Sequence, residues 1–163
     1  MRAIRLIVLV LVMVLPWMRA LPAVAQEATP IPAADISQTD WPMYRGTAAR
    51  TGSMPGVGPL ENPTELWRYA ADGPIASAPA VVDGMLYVGC ECNNLLALDA
   101  ATGAEVWRFA ASSSVDSSPA VADGMVYAGS SDGILYAVDA ADGHEIWTFP
   151  GARADGAPVV VDG

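Results

Sequence analysis

Three tryptophans lie forty residues apart, at Trp67, Trp107 and Trp147, and the sequence between them repeats in register. Residues 77–89 read SAPAVVDGMLYVG, and residues 117–129 read SSPAVADGMVYAG. A fixed period near forty residues, with short strand and turn patterns in each unit, is typical of radial or stacked all-β repeat proteins. Because such scaffolds serve many purposes, the period indicates a fold and leaves the function open.

Each repeat divides into four short segments of strand character. In the first complete repeat these segments are residues 78–82, 86–89, 95–99 and 106–110. The dipeptide Asp83-Gly84 between the first two indicates a hairpin, because glycine tolerates the positive φ of such turns. Four strands in forty residues match one blade of a β-propeller. The sequence therefore predicts an all-β fold, a propeller of four-stranded blades with repeats of about forty residues.

Residues 41–163 supply about three such blades, of which the third copy of the repeat begins at Ala157 and stops at Gly163. A closed propeller typically has ~4–8 blades. We therefore interpret residues 41–163 as an incomplete N-terminal segment of a propeller, truncated within a repeat.

Residues 1–25 have the three parts of a secretory signal peptide: a basic start, an apolar stretch and the sequence Ala23-Val24-Ala25. The alternative is a membrane anchor. The apolar stretch is shorter than the ~20 residues that a spanning helix needs, and Pro16 interrupts it. We expect cleavage after Ala25 and export to the periplasm or the exterior of a bacterium.

Residues 26–40 are rich in proline and alanine and read as an extended linker. Three of the eight basic residues, but none of the eighteen acidic ones, precede residue 26, which leaves a mature net charge of −13. A chain of this charge repels nucleic acid and anionic lipid. The sequence thus predicts no nucleic-acid partner and no membrane insertion after signal cleavage, and it leaves a protein or small-ligand partner unidentified.

Two segments carry a recognisable repeat motif. Residues 97–107, ALDAATGAEVW, fit the pattern A-x-D-x-x-T-G-x-x-x-W, and residues 137–147, AVDAADGHEIW, fit it with Asp142 in place of threonine. This pattern resembles the tryptophan-docking repeats of PQQ-type quinoproteins. The opening DWPMYRGTAARTG at residues 40–52 is similar to the start of secreted PQQ-like propeller proteins, a group that includes the bacterial outer-membrane assembly lipoprotein.

The resemblance implies a ring of eight, occasionally seven, blades in which each docking tryptophan packs against a turn of the neighbouring blade. On this reading Trp67, Trp107 and Trp147 are structural docking residues, and Gly103 and Gly143 give the ring room to approach. A large aromatic side chain at a fixed repeat position is expected to bury apolar area and to find a partner for its indole N–H. A role in ligand binding is the alternative for these tryptophans.

The enzymes among the similar proteins are PQQ-dependent dehydrogenases. Their resemblance implies a central quinone, a calcium ion, a catalytic aspartate and a disulfide between directly adjacent cysteines. The cysteines of this chain, Cys90 and Cys92, are separated by Glu91. No acidic group with calcium-ligand spacing is evident in the sequence. We therefore assign no catalytic, cofactor-binding or metal-binding residue and predict no cofactor; PQQ and calcium are expected only for a dehydrogenase.

Cys90 and Cys92 admit three states. An exported protein meets oxidising conditions, which favours a disulfide; residues two apart in a flat strand lie near the upper limit of disulfide spacing, but a turn brings them closer. Free thiols are the second possibility. A metal site is the third, although two thiolates alone do not complete a zinc shell. The single histidine, His144, is expected to be solvated in its turn.

These observations support one leading hypothesis and two alternatives. The leading hypothesis is a secreted, non-catalytic PQQ-like propeller that serves as a scaffold for protein or ligand interaction. The first alternative is the N-terminal part of a PQQ-dependent dehydrogenase. The second is the extracytoplasmic sensor portion of a receptor or kinase. Fold-level resemblance alone does not decide among them.

Overall fold

The computed structural model describes residues 40–52, 64–151 and 156–161. The predicted signal peptide (1–25), the predicted linker up to residue 39 and the end of the third repeat at Asp162-Gly163 lie outside the described residues. The described residues contain eight strands, arranged as two four-stranded antiparallel sheets, and no helix. The predicted all-β architecture with four strands in each repeat is thus confirmed for two blades.

Each sheet is a meander in which neighbouring strands follow one another along the chain. The first sheet consists of β1 (Ala80–Val82), β2 (Met85–Cys90), β3 (Asn94–Asp99) and β4 (Glu105–Ala110). The second consists of β5 (Ala120–Ala122), β6 (Met125–Gly129), β7 (Ile134–Asp139) and β8 (Glu145–Pro150). The third repeat is represented by residues 156–161, in which no strand is assigned.

The observed strands differ from the predicted ones by a residue or two at their ends. The largest difference is at β1, which we predicted from Ala78 and which begins at Ala80. Pro79 explains the later start, because proline has no N–H to donate to a sheet ladder. The N–H of Ala78 instead donates to Ser118 Oγ at 2.9 Å, in the neighbouring repeat.

The turn between β1 and β2 has the conformation that its sequence predicts. Asp83 and Gly84 have φ of 50° and 76°, and Val82 pairs directly with Met85 across the turn. The equivalent residues 123–124 have φ of 50° and 74°. Two central residues with positive φ define the type I′ hairpin, whose twist matches that of the adjoining strands.

Both faces of the first sheet are covered. Along β3, Leu95 and Ala97 belong to the apolar core shared with the second sheet, whereas Leu96 and Leu98 pack in a core that includes Trp67. All four are buried. Successive strand residues point to opposite faces, so a continuous apolar run in one strand requires a partner on each side. The sheets are therefore layers of a stack, as a propeller requires.

The connection into each blade is braced by a serine. Ser77 Oγ accepts the N–H of Gly89 at 2.8 Å, and Ser117 Oγ accepts the N–H of Gly129 at 2.6 Å. Both serines are buried. These hydrogen bonds fix the entry segment of each repeat against the second strand of its own sheet, because a buried hydroxyl needs a partner.

The segment of residues 40–52 crosses three repeats. Trp41 forms an isolated antiparallel bridge with Val81, and the carbonyl of Pro42 accepts the N–H of Val121 at 2.7 Å. Arg50 Nη2 donates to the carbonyl oxygen of Ala157 at 2.7 Å. One short stretch of chain is thereby hydrogen-bonded to the first strand of each blade and to the third repeat.

A search of the described residues for a helix long and apolar enough to cross a membrane finds none.

Candidate functional site

The contact between the two sheets is centred on Trp107 of β4. Its indole Nε1 donates to the carbonyl oxygen of Ala140 at 3.0 Å, in the turn that joins β7 to β8. The ring lies over Gly143, where an added Cβ would come within 2.6 Å of the indole. Gly143 also has a φ of +75°, which favours glycine. The turn of one blade is thus shaped to receive the tryptophan of the blade before it.

Trp67 repeats this contact one blade earlier. Its Nε1 donates to the carbonyl oxygen of Ala100 at 2.9 Å, and a Cβ at Gly103 would lie 2.5 Å from its ring. Gly103 has a φ of +73°. The structure therefore brings each of these two tryptophans to the predicted glycine thirty-six residues further along the chain.

Trp147 occupies the same repeat position but has no docking turn within the described part of the chain. Its side chain is 40% exposed, compared with 8% for Trp107. Its ring still lies beside Tyr127, with centroids 5.9 Å apart, much as Trp107 lies beside Tyr87 at 5.8 Å. The contact within the blade is therefore the same, and the difference lies in the contact between blades.

The docking turn is built by an aspartate at its start. Asp99 Oδ1 accepts the N–H groups of Ala101 and Thr102, at 3.1 and 2.8 Å, and the hydroxyl of Thr102 at 2.7 Å. The hydrogen bonds from Thr102 lower the pKa of Asp99, because they favour the ionised carboxylate. The motif residues D-x-x-T-G thus form the surface on which Trp67 rests.

In the second sheet the same turn carries a histidine and one more carboxylate. Asp139 Oδ1 accepts the N–H of Ala141 at 2.8 Å, and Asp142 Oδ1 lies 2.6 Å from His144 Nδ1. The hydrogen bond to Asp142 raises the pKa of His144. One ligand atom from each of Asp139, Asp142 and His144 lies within 4.8 Å of the others. The sequence predicted an exposed His144, but it did not predict the pairing of His144 with Asp142 or this group of three residues.

A charged network forms a second contact between β4 and the segment that contains Trp67. Arg108 pairs with Asp72 at 2.7 Å and with Glu105 at 2.8 Å. The Tyr69 hydroxyl donates to Glu105. Hydrogen bonds from Arg108 and Tyr69 hold the pKa of Glu105 down at about 2. Sequence reasoning missed the contacts of Asp72 and Tyr69 with β4, because nothing local relates residues 36 positions apart.

Cys90 and Cys92 are joined by a disulfide, with their Cα atoms 5.0 Å apart. The bond lies in the turn between β2 and β3, at the opposite end of the sheet from the docking turn. Cys90 is fully buried and Cys92 is half-buried. Of the three states that the sequence left open, the structure has the disulfide.

Comparison with known proteins identifies the family. The family model described as outer membrane protein assembly factor BamB matches residues 57–163, well over half of the chain. The chain belongs to this family. The predicted membership of a PQQ-like repeat family is thereby confirmed. A search of curated proteins found no match.

Two quinohemoprotein alcohol dehydrogenases of known structure share this fold. The chain is 27% identical to the quinohemoprotein alcohol dehydrogenase ADHIIG from Pseudomonas putida HK5, with a TM-score of 0.60 over 80% of this chain and 23% of that one. It is 26% identical to the quinohemoprotein alcohol dehydrogenase from Comamonas testosteroni, with a TM-score of 0.58 over 71% of this chain and 20% of that one. It is 26% identical to BamB from Moraxella catarrhalis, with a TM-score of 0.49 over 52% of this chain and 26% of that one. The chain thus spans about a fifth to a quarter of these proteins.

Proposed function

We propose that this chain belongs to an exported, non-catalytic PQQ-like propeller that acts as a scaffold for interaction. The observation that carries the proposal is the use of the motif residues within the fold. Asp99 and Thr102 cap a turn, Gly103 clears space, and Trp67 fills that space. The polar groups at these repeat positions are engaged in forming the docking turn or in joining one blade to the next, which suits a rigid display surface.

The family match supports a protein partner. The matched family model is described as an outer membrane protein assembly factor. We extend to this chain the general role of binding another polypeptide outside the cytoplasm, in the periplasm or beyond it. The predicted mature net charge of −13 favours a neutral or basic partner surface and disfavours nucleic acid and anionic lipid.

A second candidate is a segment of a PQQ-dependent dehydrogenase. It is favoured by the similarity to two quinohemoprotein alcohol dehydrogenases at TM-scores of 0.60 and 0.58. The cysteines favour the scaffold instead: Cys90 and Cys92 enclose Glu91, whereas the resemblance to the enzymes implies two directly adjacent cysteines. Under this alternative PQQ and calcium are the cofactors.

Titration of PQQ with calcium into the purified chain, from residue 26 onward, tests the scaffold proposal. We expect no saturable binding at micromolar PQQ and no dye-linked oxidation of alcohols. A titration with calcium alone is the control, because an exposed carboxylate such as that of Asp142 binds cations weakly without any quinone. Saturable binding of one PQQ per chain, accompanied by alcohol oxidation, would contradict the scaffold proposal.

A further inference from the structure

The turn between the second and third strands is closed by different bonds in the two blades. In the first blade it is closed by the Cys90–Cys92 disulfide. At the same repeat positions of the second blade, forty residues on, the hydroxyl of Ser130 donates to the carboxylate of Asp132. The two blades therefore offer a direct comparison of one turn with and without a covalent bond.

Two backbone hydrogen bonds at this turn occur in both blades. The N–H of Glu91 donates to the carbonyl of Pro74 at 2.9 Å, and its counterpart Ser131 donates to Ser114 at 2.8 Å. The N–H of Ala111 donates to the carbonyl of Asn93 at 2.8 Å. In the second blade the N–H of Gly151 donates to the carbonyl of Gly133 at 2.9 Å. In the second blade the N–H of Gly133 also donates to the carbonyl of Ser130 at 3.0 Å, so hydrogen bonds form this turn without a covalent bond.

The disulfide also constrains the unfolded chain very little. Loop-closure models assign a stabilisation that grows with the number of residues enclosed. Here the cross-linked residues are two positions apart and enclose Glu91 alone. Neither the geometry of the turn nor the entropy of the unfolded chain therefore accounts for the presence of two cysteines at these positions.

The two sulfur atoms have different surroundings. The backbone N–H of Cys92 donates to Cys90 Sγ at 3.0 Å, within the apolar cluster that includes Leu96 and Leu98, and Asn94 Nδ2 lies 3.5 Å from Cys92 Sγ. Each sulfur atom therefore has one N–H group beside it. Cys92 is half-buried while Cys90 is fully buried, so an external thiol reaches Cys92 first.

We propose that Cys90 and Cys92 form a reversible dithiol–disulfide site that exchanges with external dithiols from the folded state. A thiolate of the dithiol attacks Cys92 Sγ, the bond to Cys90 Sγ breaks, and Cys90 leaves with the electron pair. The second thiol of the reagent, once deprotonated, attacks the reagent's own sulfur in the mixed disulfide and releases Cys92. The protein gains two electrons and two protons, and the dithiol becomes a disulfide.

The test exposes the folded chain to dithiothreitol without denaturant and then traps thiols with iodoacetamide. Mass spectrometry counts the modified cysteines, and circular dichroism follows the fold. We expect both cysteines to be modified at least about tenfold faster than the chain unfolds globally, with the β-type spectrum retained. Modification no faster than global unfolding, or loss of the β-type spectrum on reduction, would overturn the proposal.

Three variants separate exchange from a merely structural role. The double variant Cys90→Ser/Cys92→Asp installs the pair found in the second blade and is expected to keep the wild-type spectrum without reacting; failure to fold would show that the turn needs its covalent bond. Cys90→Ser leaves the thiol of Cys92, and Cys92→Ser leaves that of Cys90. The Cys90→Ser variant is expected to react with a chromogenic disulfide about tenfold faster than the Cys92→Ser variant. Equal rates would contradict the assignment of Cys92 as the attacked sulfur.

Discussion

Replacement of Trp107 by alanine is the most direct test of blade-to-blade docking. The side chain is 8% exposed, and its loss leaves a cavity between β4 and the turn that contains Gly143. Truncation of a buried tryptophan costs ~3–5 kcal/mol. The carbonyl of Ala140 does not lose its last partner, because the Tyr87 hydroxyl also donates to it at 3.3 Å. We therefore expect the cavity cost without a further penalty for an unpaired acceptor.

Urea denaturation of the full chain, followed by circular dichroism, measures this effect. The matched control is Trp147→Ala, since Trp147 has the same repeat position and the same tyrosine neighbour but is 40% exposed. We expect the control to cost about 1 kcal/mol. If Trp107→Ala cost less than about 1 kcal/mol, or no more than the control, the docking interpretation would be refuted.

A second variant tests whether the glycine exists for the tryptophan. Gly143→Ala combines a backbone cost at φ +75° with a clash against Trp107. Gly124→Ala has the same backbone cost at φ +74° but meets no atom within 4 Å. In the presence of Trp107, the Gly143 variant is expected to cost ~1–3 kcal/mol more than the Gly124 variant, and the excess to vanish in a Trp107→Ala background. Equal costs for the two glycines would contradict this account.

Two further outcomes follow from the structure. Because the folded-state pKa of Glu105 is lowered from 4.5 to about 2, its contribution to stability is present above pH 4.5 and lost as the pH falls towards 2. Glu105→Gln is expected to flatten this part of the stability curve by about 1 kcal/mol or less, since the ion pair with Arg108 is partly exposed to solvent, and an unchanged curve would contradict the network. Gly89→Ala places a Cβ 2.3 Å from the Val115 carbonyl oxygen and should lower stability by ~1–3 kcal/mol in urea denaturation, whereas Gly156→Ala meets open space and should cost under about 0.5 kcal/mol; similar costs for both would refute the close-packing argument.

The features that could be predicted from the sequence are those that recur in both copies of the repeat. The forty-residue period placed Trp107 one unit away from Trp67, and the turn glycines Gly103 and Gly143 follow the same spacing. The turn Asp83-Gly84 was readable because its chemistry is local. Repetition and local turn chemistry are both visible in the sequence itself, so both can be recognised without knowledge of the tertiary structure.

The features that sequence did not predict depend on contacts made only once. The pairing of Arg108 with Asp72 joins two exposed side chains from different repeats, and the second blade has Thr148 where the first has Arg108. The bridge from Trp41 to Val81 joins the first described segment to a strand forty residues away. Neither contact leaves a periodic trace, so only the folded chain reveals them.

A repeat protein contains its own comparison, which bears on where its function lies. Equivalent positions in the two blades meet the same structural demand, and a shared residue such as Ser77 or Ser117 is explained by that demand. A position at which the blades differ although both form the same strands and turns is not explained by it. Cys90 against Ser130 is such a position. Differences of this kind, rather than the docking residues that define the family, are therefore where the particular role of this chain is to be sought.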